Sequence, residues 1–352
     1  MEGYIAVPRV PTITRAVPDA NTPAASATAE RAKRVCLAFD GLTCLVLIAT
    51  AGLIASSAVP AASDTNLASC NSAAEASPEQ QIATCTVLIQ SGSYHGQDLA
   101  RAYFSRAVGY LRKQETDNAI EDLNAGLALD PSNATALFNR AVGYESKDDL
   151  DRALKDYDAA IKLKPDYLKA LTNRSAIYFE KNQFDQAIED ETHVIALNPA
   201  DPVVLVMRGR SYAGKGDFAL AVADFDQAVR LNELHFAPPS GSVLYYRGLA
   251  LLALGEDDRA IGDFNRAVVL APDNPLTFEG LGFAFLQQGQ FDQALSDFEQ
   301  ALRLQPTLAG ALYGRGLAKR KKGEGSSGDA DISAATAIKP DVAEELARYG
   351  LL

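Results

Sequence analysis

The chain has 352 residues, is 47% hydrophobic, and carries a net charge of −12 from 33 basic and 45 acidic side chains. That length holds two or three ordinary domains or one extended array, with enough apolar material for a large core. Residues 1–69 balance five basic against five acidic groups. The negative excess therefore lies in residues 70–352, which argues against nucleic-acid binding.

In chain order, residues 1–34 come first. Pro8, Pro11, Pro18 and Pro23 stand among small and polar residues, and this extension reads as disordered. Residues 35–62 follow the basic group Arg31, Lys33 and Arg34 and carry an apolar run, strongest from Leu42 to Leu53. This segment reads as a signal peptide, with small-residue cleavage sites ending at Ala58 or Ala61, or as a retained signal anchor. Gly41 to Ala61 is just long enough to span a bilayer, but Asp40 interrupts the run; the length favours cleavage. Export would place the rest of the chain in the periplasm, or anchored in the inner membrane and facing the periplasm.

Residues 70–99 read as an N-terminal capping segment. Cys70 and Cys85, after an export segment, are expected to form a disulfide. Lipidation of Cys70 is the lesser reading, because "PAASDTN" separates it from the apolar run. Ser77-Pro78-Glu79-Gln80 carries the marks of a helix start: a Ser cap, Pro at the first position, and Gln at the third.

From residue 100 a period takes over. Pro131, Pro165 and Pro199 are 34 residues apart, as are Pro272, Pro306 and Pro340. Small residues recur at Ala107, Ala141, Ser175, Gly209, Gly248, Gly282 and Gly316, and again at Ala119, Ala153, Ala187, Ala221, Ala260, Ala294 and Gly328. Tyr110, Tyr144, Tyr178 and Tyr212 form an aromatic column, and Gly216, Gly255, Gly289 and Gly323 mark a turn between two helices. Small residues let two helices approach closely, and Pro ends each unit. One unit cannot bury its own apolar faces, so units must stack.

These columns resemble the tetratricopeptide repeat family. The resemblance implies an all-α fold: a right-handed superhelical solenoid of seven 34-residue helix–turn–helix repeats with N- and C-terminal capping helices. Repeats 1–4 occupy 100–235 and repeats 5–7 occupy 241–342. An insertion at 236–240, with Pro238 and Pro239, is read as a tolerated loop; the sharper alternative is a kink that divides the array. The second helix of repeat 7 is degenerate, and "GEGSSGDA" reads as a flexible turn. A capping helix at 341–352 starts at an Asp341/Glu344 box and turns Val342, Leu346 and Tyr349 back onto repeat 7.

An Arg stands at the seventh position of six repeats, and an Asp follows each by sixteen residues. The pairs are Arg106 with Asp122, Arg140 with Asp156, Arg174 with Asp190, Arg208 with Asp224, Arg247 with Asp263, and Arg315 with Asp331. Sixteen residues lead from the middle of one helix, round the turn, to the middle of its antiparallel neighbour. Each pair is expected to be a structural ion pair that fixes helix register. Repeat 6 has Leu281, which leaves Asp297 without its partner.

No catalytic constellation is present. His95, His193 and His235 are scattered, so no metal is expected; no cofactor is expected either, and the chain reads as non-enzymatic. Only Asn139 and Lys169 match a carboxylate clamp for acidic tails; Phe104, Val108 and Asn173 stand where its other members belong. The run Lys319 to Lys322 reads as a solvated helix end. In the family that the chain resembles, first helices line a concave face. Carried over, that face comprises Phe104, Val108, Leu111, Phe138, Val142, Phe179, Val206, Tyr245, Leu249, Leu252, Phe283, Leu286, Tyr313 and Leu317. The resemblance and this apolar groove imply a scaffold or adaptor that binds a protein, peptide or partner helix. The alternative is a structural, self-assembling protein whose groove is filled by its own chain or by another copy. Membrane contact is expected only through an uncleaved N-terminal anchor.

Overall fold

The computed structural model describes residues 67–70, 77–234 and 240–352. The expected disordered extension, the signal or anchor segment, and the 236–240 insertion up to residue 239 lie outside the described residues. Among the described residues every regular element is an α-helix, and none is long and apolar enough to cross a membrane. The chain divides into two compact units, with the boundary between Pro165 and Asp166.

The first unit contains α1 (Pro78–Gln90), α2 (Gly96–Arg112), α3 (Thr116–Leu129), α4 (Ala134–Ser146) and α5 (Leu150–Leu163). Helix α1 starts with a complete capping box. The Ser77 hydroxyl accepts from the Gln80 amide at 3.2 Å, and the Ser77 amide donates back to Gln80 Oε1 at 3.2 Å. Cys70 and Cys85 are bonded, both fully buried, with Cα atoms 5.0 Å apart. The bridge ties the short helical piece at 67–70 to α1, and Leu67 and Leu88 complete that small core. Asn133 caps α4 through its side-chain oxygen, which accepts from the Ala136 amide at 3.0 Å.

The second unit runs from α6 (Leu168–Glu180) and α7 (Phe184–Leu197) through α8 (Pro202–Lys215) and α9 (Phe218–Leu234) to α10 (Gly241–Ala253) and α11 (Asp257–Leu270). It continues with α12 (Pro275–Gln287), α13 (Phe291–Leu304), α14 (Ala309–Lys321), α15 (Gly325–Ile338) and α16 (Val342–Arg348). Its core is built from rings in the second helices laid on glycines in the first. A Cβ on Gly248 or on Gly280 would stand 2.6 Å from the Phe264 ring. Phe298 lies in the same way on Gly282 and Gly314, and Phe225 lies on Gly209. Each ring thus locks its own repeat, and Phe264 and Phe298 also lock the next one.

Three expectations meet the structure here. First, the repeats on either side of the 236–240 insertion pack against each other. Phe225 of repeat 4 stacks with Tyr246 of repeat 5 at 6.4 Å, and Arg247 reaches Asp226 at 2.7 Å, so repeats 4 and 5 pack as one core. Second, most of "GEGSSGDA" is not a turn but the opening of α15. Gly328 and Gly316 face each other there, and a Cβ on either would meet the other's carbonyl oxygen at 2.6–2.7 Å. Close backbone approach overrides poor helix propensity. Third, Asp341 precedes α16 without a side-chain cap bond.

The turn between the helices of each repeat needs a left-handed residue. Gly216, Gly255, Gly289 and Gly323 supply it at φ of +73° to +91°. In repeats 1 to 3 the same position holds Gln114, Asp148 and Asn182, at φ of +55° to +64°. A side chain with a Cβ is disfavoured there by about 1–2 kcal/mol. Gln114→Gly is therefore expected to stabilise the chain by roughly 0.5–1 kcal/mol, after the greater freedom of unfolded Gly is set against the relief. A urea midpoint followed by far-UV circular dichroism checks this; an unchanged or lower midpoint contradicts it.

Candidate functional site: the first-helix faces

The Arg column is bidentate throughout. Arg106 donates from Nε and Nη2 to Asp122 at 2.8 and 2.7 Å, and Arg140 to Asp156 at 2.7 and 2.7 Å. Arg174 meets Asp190 at 2.8 and 2.6 Å, and Arg208 meets Asp224 at 2.8 and 2.8 Å. Arg247 meets Asp263 at 2.6 and 2.6 Å, and Arg315 meets Asp331 at 2.7 and 2.7 Å. The aspartates are buried and the arginines half-buried. Hydrogen bonding to the carboxylate holds Arg106, Arg140, Arg208 and Arg315 further toward the charged form. The aromatic column flanks the same guanidinium groups: Arg106, Arg174 and Arg208 lie 5.7–5.9 Å from the rings of Tyr110, Tyr178 and Tyr212. Each pair joins the two helices of one repeat, and Arg140, Arg208 and Arg247 also reach Asn124, Thr192 and Asp226 of the preceding repeat.

Two acids fall outside this pattern. Asp297, opposite Leu281, is pushed up to about 6 by burial alone. Glu191 occupies the place where other repeats bury Tyr157, Phe225, Phe264 or Phe298, and it is 1% exposed. Burial raises it to about 8. Its Oε1 accepts from the Ser211 hydroxyl at 3.2 Å, and its Oε2 has no hydrogen-bond partner.

The run at the end of α14 is engaged within the chain. Lys319 bonds Asp331 at 2.8 Å, Arg320 pairs with Asp329, and Lys322 with Asp292. Lys322–Asp292 belongs to a tie between consecutive repeats that sequence reasoning missed. Lys147–Asp117 and Lys215–Asp185 share its thirty-residue separation, a column visible in the sequence once the period is known. These pairs are exposed and worth little individually. His193 is exposed, His95 precedes α2 without a cap bond, and no cluster that could hold a metal occurs among the described residues.

The groove residues divide into two classes. Val108, Phe138, Tyr245, Leu252 and Phe283 are buried, so they are core rather than open surface. Phe138 is fully enclosed against Tyr157 at 5.8 Å, and Phe283 against Phe298 at 5.1 Å. Tyr245 likewise meets a second-helix ring, 6.1 Å from Phe264. Phe104, Leu111, Val142, Phe179, Val206, Leu249, Leu286, Tyr313 and Leu317 stay partly exposed. Of these, Phe104 is also committed inward, over Gly126.

In the second unit the chain itself covers part of this face. Helix α16 ends in a Schellman motif: Gly350 at φ +64° donates to the Ala347 carbonyl at 2.9 Å, and Leu351 donates to Leu346 at 3.0 Å. The motif folds Leu351 back, so that Val342, Leu346 and Leu351 all enter the core of the unit. The segment runs from repeat 7 across the first helices. Gln287 Nε2 donates to the Gly350 carbonyl at 2.7 Å, Gly350 lies against Ala253, and the Tyr349 ring is 6.2 Å from Phe218 of repeat 4. Arg210, held between Phe179 at 4.7 Å and Tyr246 at 4.9 Å, is close to Tyr349. Under the segment Glu279 is pushed up to about 8, by burial and by Glu345, although the Ala311 amide and Lys339 favour its charged form. Lys339 pairs with Glu345. The sequence places Val342, Leu346 and Tyr349 on repeat 7 alone; the structure carries Tyr349 as far as repeat 4.

The fold and these faces define an α-helical repeat protein of the protein-binding kind. Family models described as tetratricopeptide repeat match residues 104–167, 143–202 and 206–275, and a TPR repeat model matches 284–323. The chain belongs to the tetratricopeptide repeat family, whose members bind protein partners. No curated protein matches it. Among solved structures it is similar to a tetratricopeptide repeat protein from Parabacteroides merdae. The TM-score is 0.57 and the identity 21%, over 71% of this chain and 98% of that one. It is also similar to the C-terminal part of a TPR repeat-containing protein from Cytophaga hutchinsonii, with TM-score 0.54 and 18% identity over 72% and 97% of the two chains. A Pseudomonas aeruginosa pilF structure matches at TM-score 0.50 and 21% identity, over 60% and 94%. At these identities the likeness is one of fold.

Proposed function

We propose that the chain is a non-catalytic adaptor, exported to the periplasm or the envelope, that binds a peptide or partner helix on its first-helix face. The carrying observation is the row of half-exposed apolar side chains there, with Leu111 and Val142 in the first unit and Leu249, Leu286 and Leu317 in the second. Export is supported by the apolar run of residues 42–53 and by the Cys70–Cys85 bond, which suits an oxidising compartment. A self-filled face is the second reading, and the seating of residues 342–351 on the second unit favours it there.

Fractionation of producing cells combined with photocrosslinking from Val142 tests the adaptor. The expected result is an exported protein, processed near Ala58–Ala61 or retained in the membrane, with no free Cys70 or Cys85 thiol and a crosslink to a second protein species. Cytoplasmic protein with both thiols reactive overturns the export. Crosslinks from Val142 only to another copy of the chain replace the adaptor by self-assembly.

A further inference from the structure

We infer that residues 342–351 are an intramolecular ligand, and that a partner binds the second unit by displacing them with an amphipathic helix of the same chemistry. The inference rests on the adaptor reading and specifies its ligand for repeats 4 to 7. Helix α16 is only seven residues long, too short to persist alone in water. It is therefore held by what it touches. Its anchors are aliphatic at 342, 346 and 351, with an aromatic at 349 that reaches Phe218.

The same contacts show why it can leave. A seven-residue helix held through a few anchors opens locally at low cost. Its acid, Glu345, lies beside a second carboxyl, Glu279, with Lys339 as the neighbouring cation. Two acids on one cation is an imperfect fit. Tyr245 faces this group from α10, and the Ala311 amide faces it from α14. The surface beneath includes Phe218, Ala253 and Tyr245, so an open face would not stay bare. A displacing helix needs an aliphatic residue, a second one four positions on, an aromatic three further, and an acid beside the second aliphatic to meet Lys339.

A fluorescently labelled peptide of residues 338–352 tests this against the full chain, as wild type and as Leu346→Asp with Leu351→Asp. A tethered segment acts at roughly millimolar effective concentration. The peptide is therefore expected to bind the variant at least about 100-fold more tightly than the wild type. Equal binding, or none, by a variant whose helical circular dichroism is intact overturns the inference. Should that variant unfold, hydrogen exchange on the wild-type chain decides. Amides of 346–351 exchanging far faster than those of α12 support displacement; exchange at the same rate as α12 sinks it. The Val142 crosslink, in the other unit, reports separately on the adaptor reading, so it can succeed where this peptide fails.

Discussion

Replacing Arg247 by Met is expected to destabilise the chain by about 3 kcal/mol, because it strips the partner from a buried carboxylate. Asp263 is 5% exposed and receives two bonds of 2.6 Å from Arg247, whose third donor reaches Asp226 at 2.7 Å. Met fills most of the volume of the Arg stem but leaves the buried Asp263 carboxyl without that partner. Replacing both residues, Arg247→Met with Asp263→Leu, is expected to recover most of the loss. The desolvation cost of an ion pair roughly cancels its attraction, whereas a lone buried charge has no compensation. The measurement is a urea midpoint for the wild type, each single variant and the double variant, followed by far-UV circular dichroism since the chain has no Trp. A single variant that loses less than about 1 kcal/mol, with a double variant no better, would show these to be ordinary surface pairs. The expected pattern is that of a register device. Six copies fix how each helix pair slides, and none adds much net stability.

The repeat is legible in the sequence because every residue in a column meets the same surroundings. The sixteen-residue step from Arg to Asp is geometry rather than composition: it spans half a helix, a tight turn and half the next helix. The glycines at 248 and 282 are legible for the same reason, as members of a column of small residues. Other features resist. Gln114, Asp148 and Asn182 take the left-handed turn without the glycine that signals it, because the helix pair dictates the turn and the residue bears the strain. In α15 the backbone contact between Gly316 and Gly328 imposes a helix that local propensity denies. The groove is only half legible. The family resemblance assigns Phe138 and Leu249 to one face, but only the packed rings decide that Phe138 is enclosed and Leu249 is not. The reach of residues 342–351 is least legible of all. An apolar stripe on a short helix says that something is covered, not what.

Glu191→Gln is expected to stabilise the chain by about 3 kcal/mol at pH 8 and by little at pH 5. The folded-state value is about 8, against an ordinary 4.5. Between those limits the folded chain holds a proton that the unfolded chain has released. Stability is therefore full below about pH 4.5 and falls as pH rises toward 8, by up to about 1.4 kcal/mol per pH unit. Relaxation and entering water reduce the full amount, which is why the expected figure is smaller than the shift alone implies. Gln keeps the shape and an acceptor for the Ser211 hydroxyl, which is itself fully buried. Leu would match the apolar column better but would leave Ser211 unpaired, so Gln isolates the charge. Glu279 titrates over the same window, so the variant retains part of the slope, and the difference between the two profiles belongs to Glu191. Urea midpoints at pH 5, 6.5 and 8 for both proteins give that difference. Parallel profiles would mean that Glu191 ionises as an exposed carboxylate does and that repeat 3 is hydrated at its centre. Diverging profiles would make repeat 3 the unit whose core loosens first as pH rises, because it alone carries an acid in the column that Tyr157, Phe225, Phe264 and Phe298 fill elsewhere.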